Sequence, residues 1–171
     1  MSLGPRIAVT GLNWMGGGVG SIESFLEKSF KEVEDDIIIS AYAITNGADV
    51  FLDWVEMVLG RGVKVSILIN HFDGQSKVVA KRLLKMLRLY SHFYIYNFCP
   101  PDQRDLHAKV IVFDRNRALV GSSNLSRRGL ENNLELGIIV EGKIAAGLAD
   151  VVERVMGGKD VRLLSVSDGK S

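Results

Sequence analysis

His107, Lys109, Asp114, Gly121, Ser122 and Asn124 form the pattern H-x-K-x4-D-x6-G-S-x-N. These residue types at this spacing suit the cleavage of a phosphodiester. Such a reaction through a covalent intermediate needs a nucleophile, cations or hydrogen-bond donors for the non-bridging oxygens, and an acid for the leaving oxygen. His107 is the candidate nucleophile and Lys109 the candidate counter-charge. The Ser122 hydroxyl and the Asn124 amide are candidate donors to the phosphate. No metal or cofactor enters this scheme.

The elements that must position these groups can be read from the flanking residues. The run Val110 to Phe113 predicts a strand over 107–113 whose period of two puts His107 and Lys109 on one face, with Ala108, Val110 and Val112 on the other. Asp114 to Arg117 reads as a hairpin turn, and Ala118 to Val120 as the returning strand. With Arg115 and Asn116 as a two-residue loop, His107 lies across from Asn124 and Lys109 across from Ser122, so that all four face one way and Ser123 points away. Asp114 has the opposite parity to His107. We therefore assign Asp114, with Gly121, a structural part in the motif.

A third apolar run, Leu134 to Val140, carries Glu135 and Gly137 on the side opposite Leu134, Leu136, Ile138 and Val140. A carboxylate there can accept the Nδ1 proton of an imidazole, fix its tautomer and stabilise the charged ring. Glu135 is accordingly the expected orienter of His107.

The pattern resembles the HKD motif of the phospholipase D superfamily, and Glu135 sits where members of that family place the residue that supports the histidine. The resemblance extends upstream through Ile37 to Thr45 and Arg61 to Asn70, and covers about residues 21–156. It implies a two-histidine mechanism in which one histidine becomes a phosphohistidine while the other protonates the leaving group and later activates water, with no metal required. His71 and His92 lack the rest of the motif, so this chain supplies one copy. Small single-motif members resembling it build the site as symmetric homodimers, and the same is expected here, with His107 of each subunit at a shared cleft.

The rest of the chain agrees with one compact domain over residues 1–171, with a core at about 21–156 and a flexible C-terminal tail from Asp168. At 171 residues and 47% apolar content the chain can bury a sizeable core. Strands are expected at Ile7–Val9, Ile37–Thr45, Val63–Asn70 and Phe93–Phe98, in addition to the motif hairpin and the Leu134 run. Helices are expected at Ser21–Glu34, with Ser21 as N-cap, at Asp49–Leu59, at Ser76–Tyr90 and at Ile144–Met156. This alternation gives an α/β fold, and the resemblance makes it a mixed β-sheet with helices on both faces. No apolar run approaches the roughly 18–20 residues of a membrane span, and no signal sequence opens the chain, which gives a cytoplasmic expectation. The single cysteine, Cys99, has no disulfide partner.

Net charge is only +1, but its distribution is uneven. Lys77, Lys81, Lys85 and Arg88 fall along one face of the third helix, either as contacts to nucleic-acid phosphates or as a solvated outer face. Arg127 and Arg128, which follow Asn124 closely, are candidate phosphate-binding residues at the rim of the cleft. Gly16 to Gly20 lacks both the P-loop and the dinucleotide spacing and reads as a loop. His71 and Asp73 read either as substrate contacts or as residues ending a strand, and Trp14 and Trp54 either as base-stacking residues or as packing. The leading expectation is a metal-independent nuclease acting on DNA or RNA. Phospholipid cleavage, or a nucleic-acid-binding subunit with little turnover, are the alternatives.

Overall fold

The computed structural model describes residues 4–11, 16, 19–45, 47–102, 104–126 and 128–169. In chain order the elements are β1 (Arg6–Thr10), β2 (Gly20–Ser21), α1 (Ile22–Glu32), β3 (Asp36–Ala41), α2 (Asp49–Gly60), β4 (Lys64–Asn70), α3 (Lys77–Leu89), β5 (Phe93–Phe98), β6 (Val110–Phe113), β7 (Arg117–Gly121), β8 (Glu135–Glu141), α4 (Lys143–Met156) and β9 (Val161–Leu163). The strands form one sheet in the order β2-β1-β8-β7-β6-β3-β4-β5-β9. β3, β4 and β5 run parallel, and β6, β7 and β8 are antiparallel neighbours, so the sheet is mixed.

The period of two divides the strand residues between two cores. Ile37, Ile39, Val65, Ile67, Ile111 and Phe113 face α1, α2 and α3 in the larger core. Ile38, Leu68, Val110, Val112, Ala118 and Val140 face α4 on the other side. Helices therefore flank both faces, as expected. Trp54 belongs to the larger core, stacked on Phe30 at 5.4 Å, which decides for packing. Trp14 lies outside the described residues. α1 starts where Ser21 caps it by accepting from the Ser24 N–H at 3.3 Å. α3 exposes Lys77, Lys81, Lys85 and Arg88 and buries Val79, Leu83 and Met86. No helix among the described residues is long and apolar enough to cross a membrane.

One helix covers less sheet than three do. Where α4 ends its coverage, Ile7, Leu136 and Ile138 are 55%, 43% and 43% exposed, with Ile7 paired directly to Ile138. This apolar strip was not anticipated as exposed.

Two sequence expectations need correction. The motif hairpin pairs Phe113 with Arg117 and Val110 with Val120, so its loop has three residues, Asp114, Arg115 and Asn116, rather than two. Lys109 consequently lies beside Gly121, whose N–H donates to the Lys109 carbonyl at 3.2 Å, and the pairing of Lys109 with Ser122 and of His107 with Asn124 is off by one. β6 starts at Val110, which leaves His107 in the segment before it. The reason is the loop itself. Asp114 and Arg115 both take positive φ (49° and 50°), the requirement of a type I′ turn, and the Asn116 N–H closes that turn on the Phe113 carbonyl at 3.0 Å.

These non-glycine residues are held there by contacts. The Asp114 carboxylate accepts from the backbone N–H groups of Glu34, Asp35 and Asp36 at 3.1, 2.8 and 3.1 Å. Arg115 reaches Asp150 and Glu153 on α4. Asp114 thus ties the motif hairpin to the start of β3. Asp114→Asn is expected to cost roughly 1–3 kcal/mol of stability in urea unfolding, since hydrogen bonds to a charged acceptor weaken, while kcat per folded molecule stays near wild type. A catalytic defect in a fully stable variant would contradict this assignment.

The second correction concerns the C-terminal tail. Residues 161–163 add β9 to the sheet, and a 3-10 turn, Val166–Gly169, follows. Asp168 accepts from Arg162, from the Ser165 N–H and from the Ser165 hydroxyl, which hold its carboxyl down to about 2. Because the folded value is depressed, this closure is present above the ordinary carboxyl range and is lost as pH falls towards 2. Up to Gly169 the segment is therefore tied down rather than loose; Lys170 and Ser171 lie outside the described residues.

Candidate active site

The motif collects at the end of the sheet where the parallel strands β3 and β4 terminate, where ligands meet open α/β sheets. β6 begins there, β7 ends there and β8 begins there, so Lys109, Ser122 and Glu135 converge from three antiparallel strands. Ser40, buried on β3, donates its hydroxyl to the Ala108 carbonyl at 3.0 Å and fixes the chain between the two motif residues. Asn70, at the end of β4 and 5% exposed, donates to Asp105 at 2.9 Å and accepts from the Leu106 N–H at 2.7 Å. The segment entering His107 is thus fixed from β4.

The His107 ring is exposed and packs on Tyr42, with centroids 4.5 Å apart. Lys109 Nζ lies 3.2 Å from His107 Nδ1, donates to the His107 carbonyl at 3.0 Å, and sits 5.3 Å from the centre of the Tyr42 ring. Partial burial pulls the Lys109 ammonium below the usual lysine range, while the Glu135 carboxylate pulls the other way. An ammonium facing Nδ1 favours the neutral imidazole tautomer with its proton on Nε2. Attack on phosphorus through Nε2 requires the exposed ring to turn and Nδ1 to donate.

Glu135 does not reach that ring within one chain. Its Oε2 accepts from the Ser122 hydroxyl and its Oε1 from the Asn133 amide at 3.1 Å. β7 lies between β8 and β6, so the carboxylate meets the end of β7 first. The expectation that Glu135 orients His107 is therefore corrected: in this arrangement it holds Ser122 and attracts Lys109.

Asn124 lines a small cavity of about 20 Å³ with Lys109, Ser40 and Tyr42, and its Oδ1 is buried with no hydrogen-bond partner among the described residues. Ser123, expected to point away, instead lines the same cavity as Lys109 and Asn124, with its hydroxyl donating to the Gly129 carbonyl at 2.9 Å; the one-residue shift of the hairpin puts it on the Lys109 side. Gly121 pairs with Gly137 across β7 and β8, and a Cβ on Gly121 would lie 2.6 Å from the Leu136 carbonyl oxygen, so only glycine fits. Arg128 is exposed at the start of the π-helix Arg128–Asn132. Arg127 lies outside the described residues. His92 is a structural residue, its Nε2 3.0 Å from the Leu59 carbonyl oxygen.

The sequence reading missed Tyr42, Ser40 and Gly129. Gly129 packs under the motif turn so closely that any Cβ would collide with the Asn124 carbonyl. Tyr42 had one available signal, an aromatic residue directly after an apolar strand.

Residues 26–156 match the family model described as cardiolipin synthase, PLD-like domain. The DISARM protein DrmC of Bacillus paralicheniformis is 30% identical over 111 residues, which are 64% of this chain and 45% of that relative, so the match spans under half of the relative's length. Among solved structures, the phospholipase D family member Nuc from Salmonella typhimurium superposes with a TM-score of 0.72 at 18% identity, covering 94% of this chain and 98% of that one. NucT from Helicobacter pylori gives 0.67 at 17%, covering 89% and 95%. Phosphatidylserine synthase from Haemophilus influenzae gives 0.71 at 14%, covering 98% of this chain and 41% of the other. At these identities the three structures speak to the fold.

Proposed function

Because the chain belongs to the phospholipase D superfamily, we propose that it is a metal-independent phosphodiesterase that hydrolyses DNA or RNA through a phosphohistidine on His107, at a site shared by two copies of the chain. The observation that carries this reading is the meeting of His107, Lys109, Ser122, Asn124 and Glu135 at one end of the sheet. His107 of one subunit attacks phosphorus, and the P–O bond to the leaving oxygen breaks. His107 of the partner subunit delivers the proton to that oxygen, then takes one from the water that hydrolyses the phosphohistidine. Lys109 and the Asn124 amide bind the non-bridging oxygens, with the exposed Arg128 as a further cation, and Glu135 keeps Ser122 and Lys109 in place.

The exposed strip of Ile7, Leu136 and Ile138 supports the homodimer. It begins beside Glu135, at the end of the sheet that carries the motif, and offers a second copy an apolar surface to bury.

Cleavage of labelled single- and double-stranded DNA, RNA and a phospholipid vesicle in excess EDTA tests the reading. EDTA-resistant nucleic-acid cleavage is the expected result. Lipid-only cleavage would transfer the chain to the lipid phosphodiesterases, a reading favoured by the cardiolipin synthase description of its domain. Binding of nucleic acid without cleavage of any substrate would make it a binding subunit.

Lys109→Ala is expected to lower kcat/KM by about 2.7–4 kcal/mol of transition-state stabilisation, a hundredfold or more, as for removal of one well-placed donor. Glu135→Gln is expected to give a smaller loss with unchanged melting temperature. An unchanged rate would remove Glu135 from the mechanism.

A further inference from the structure

Beside the candidate site lies a second, open pocket of about 300 Å³, bounded by Tyr42, Thr45, His71, Gln75 and Asp105. We propose that it seats an unpaired nucleobase next to the scissile phosphate, so that the chain selects single-stranded nucleic acid; this rests on the nuclease reading above. Its volume lies at the lower end of the roughly 300–1,000 Å³ of ordinary ligand pockets, a size for one small planar group. Tyr42 lines both this pocket and the cavity containing Lys109, and its ring lies against His107. A phosphate held at His107 and Lys109 therefore places an attached nucleoside at the mouth of this pocket, with an aromatic ring beside it for stacking.

The chemistry of the walls selects the occupant. Asp105 Oδ1 accepts from Asn70 at 2.9 Å and lies 3.5 Å from His71 Nε2, and its second oxygen has no hydrogen bond among the described residues. A free carboxylate oxygen repels a phosphate and gives an acyl chain nothing to pack on, but it accepts from the amino groups of cytosine, adenine or guanine. His71 stands at φ 42° in the left-handed region. It is held there by its N–H bond to the Phe98 carbonyl at 2.9 Å and by the Gly74 N–H bond to its own carbonyl at 2.8 Å. Surroundings that maintain such a backbone keep the imidazole at the pocket wall, which is where strain accompanies ligand contact. A base inside a duplex has its faces and pairing edge occupied, so only a splayed, single-stranded base can enter.

The test is a set of single-stranded oligonucleotides carrying one abasic nucleotide at successive positions across the cut. Loss of the base adjacent to the cut is expected to lower kcat/KM about tenfold or more, the scale of one stacked base. That penalty should persist in Tyr42→Phe and vanish in Tyr42→Leu. Asp105→Asn, which retains an acceptor for Asn70, is expected to flatten the difference between cytosine and thymine at that position. A penalty of the same size in Tyr42→Leu, or equal cleavage of duplex and single strand, would overturn the proposal. If the wild type cuts no nucleic acid, the nuclease reading fails, and fluorescence anisotropy with the same oligonucleotides still reads the pocket. There, weaker binding at one abasic position, dependent on an aromatic residue at 42, supports it, and uniform affinity overturns it.

Discussion

His107→Ala is expected to abolish turnover, with kcat falling on the order of 10⁴- to 10⁶-fold, as when the nucleophile of a covalent mechanism is removed. The loss is expected to exceed that of any other single substitution because the proposed homodimeric site would take both its nucleophile and its proton donor from this one position. The fold should be untouched. The ring is exposed, and its contacts are to Tyr42 and to Lys109, whose ammonium also bonds the backbone carbonyl. Melting temperature and circular dichroism should therefore match wild type, while a quenched-flow search for a phosphorylated protein species finds it only in the parent. Mixed dimers sharpen the test. Equal amounts of wild-type and His107→Ala subunits, exchanged to equilibrium, should retain about one quarter of the activity if each site needs both histidines, and half if each subunit works alone.

Ile138→Glu, alone or with Leu136→Glu, is expected to convert the protein to monomers and to remove activity with the dimer. Both residues are already 43% exposed in the single chain, so a carboxylate on either costs the monomer little. At an interface, a carboxylate replaces apolar burial of about 1.5–3 kcal/mol per side chain with an unpaired charge, and the two-fold axis doubles the penalty. Light scattering should report the mass of one chain, with unfolding midpoint otherwise unchanged. A monomeric variant with full activity would end the shared-site mechanism. A variant that remains dimeric would place the interface elsewhere.

Much of this architecture was legible in the residues because burial and periodicity agreed. Phe93–Phe98 was read to its boundaries, and Asp49–Gly60 and Lys77–Leu89 to within a residue or two at each end, since apolar stripes and end signals coincide there. The hairpin register was not. A two-residue and a three-residue loop fit Asp114 to Arg117 equally well by composition, and the choice is made by contacts to Glu34, Asp35, Asp36 and α4 that are remote in sequence. Glu135 failed for a similar reason: parity gave the correct face, but only the strand order reveals that β7 stands between it and His107. Tyr42, Asn70 and Asp105 were missed because they act on the motif from other strands and loops, through spatial neighbourhoods that no local spacing encodes. The exposure of Leu136 and Ile138 was likewise hidden, since an apolar run looks the same whether a helix or a second chain covers it.

The sheet's outermost strands are short, two residues for β2 and three for β9. Each offers too few backbone groups to template a further strand, which guards against open-ended stacking of sheets side by side. Growth by continuous strand addition is thereby blocked, and the large apolar area available for association lies on a face. In the proposed two-fold dimer, association through that face would close on itself after two copies, giving a finite particle in place of a fibre.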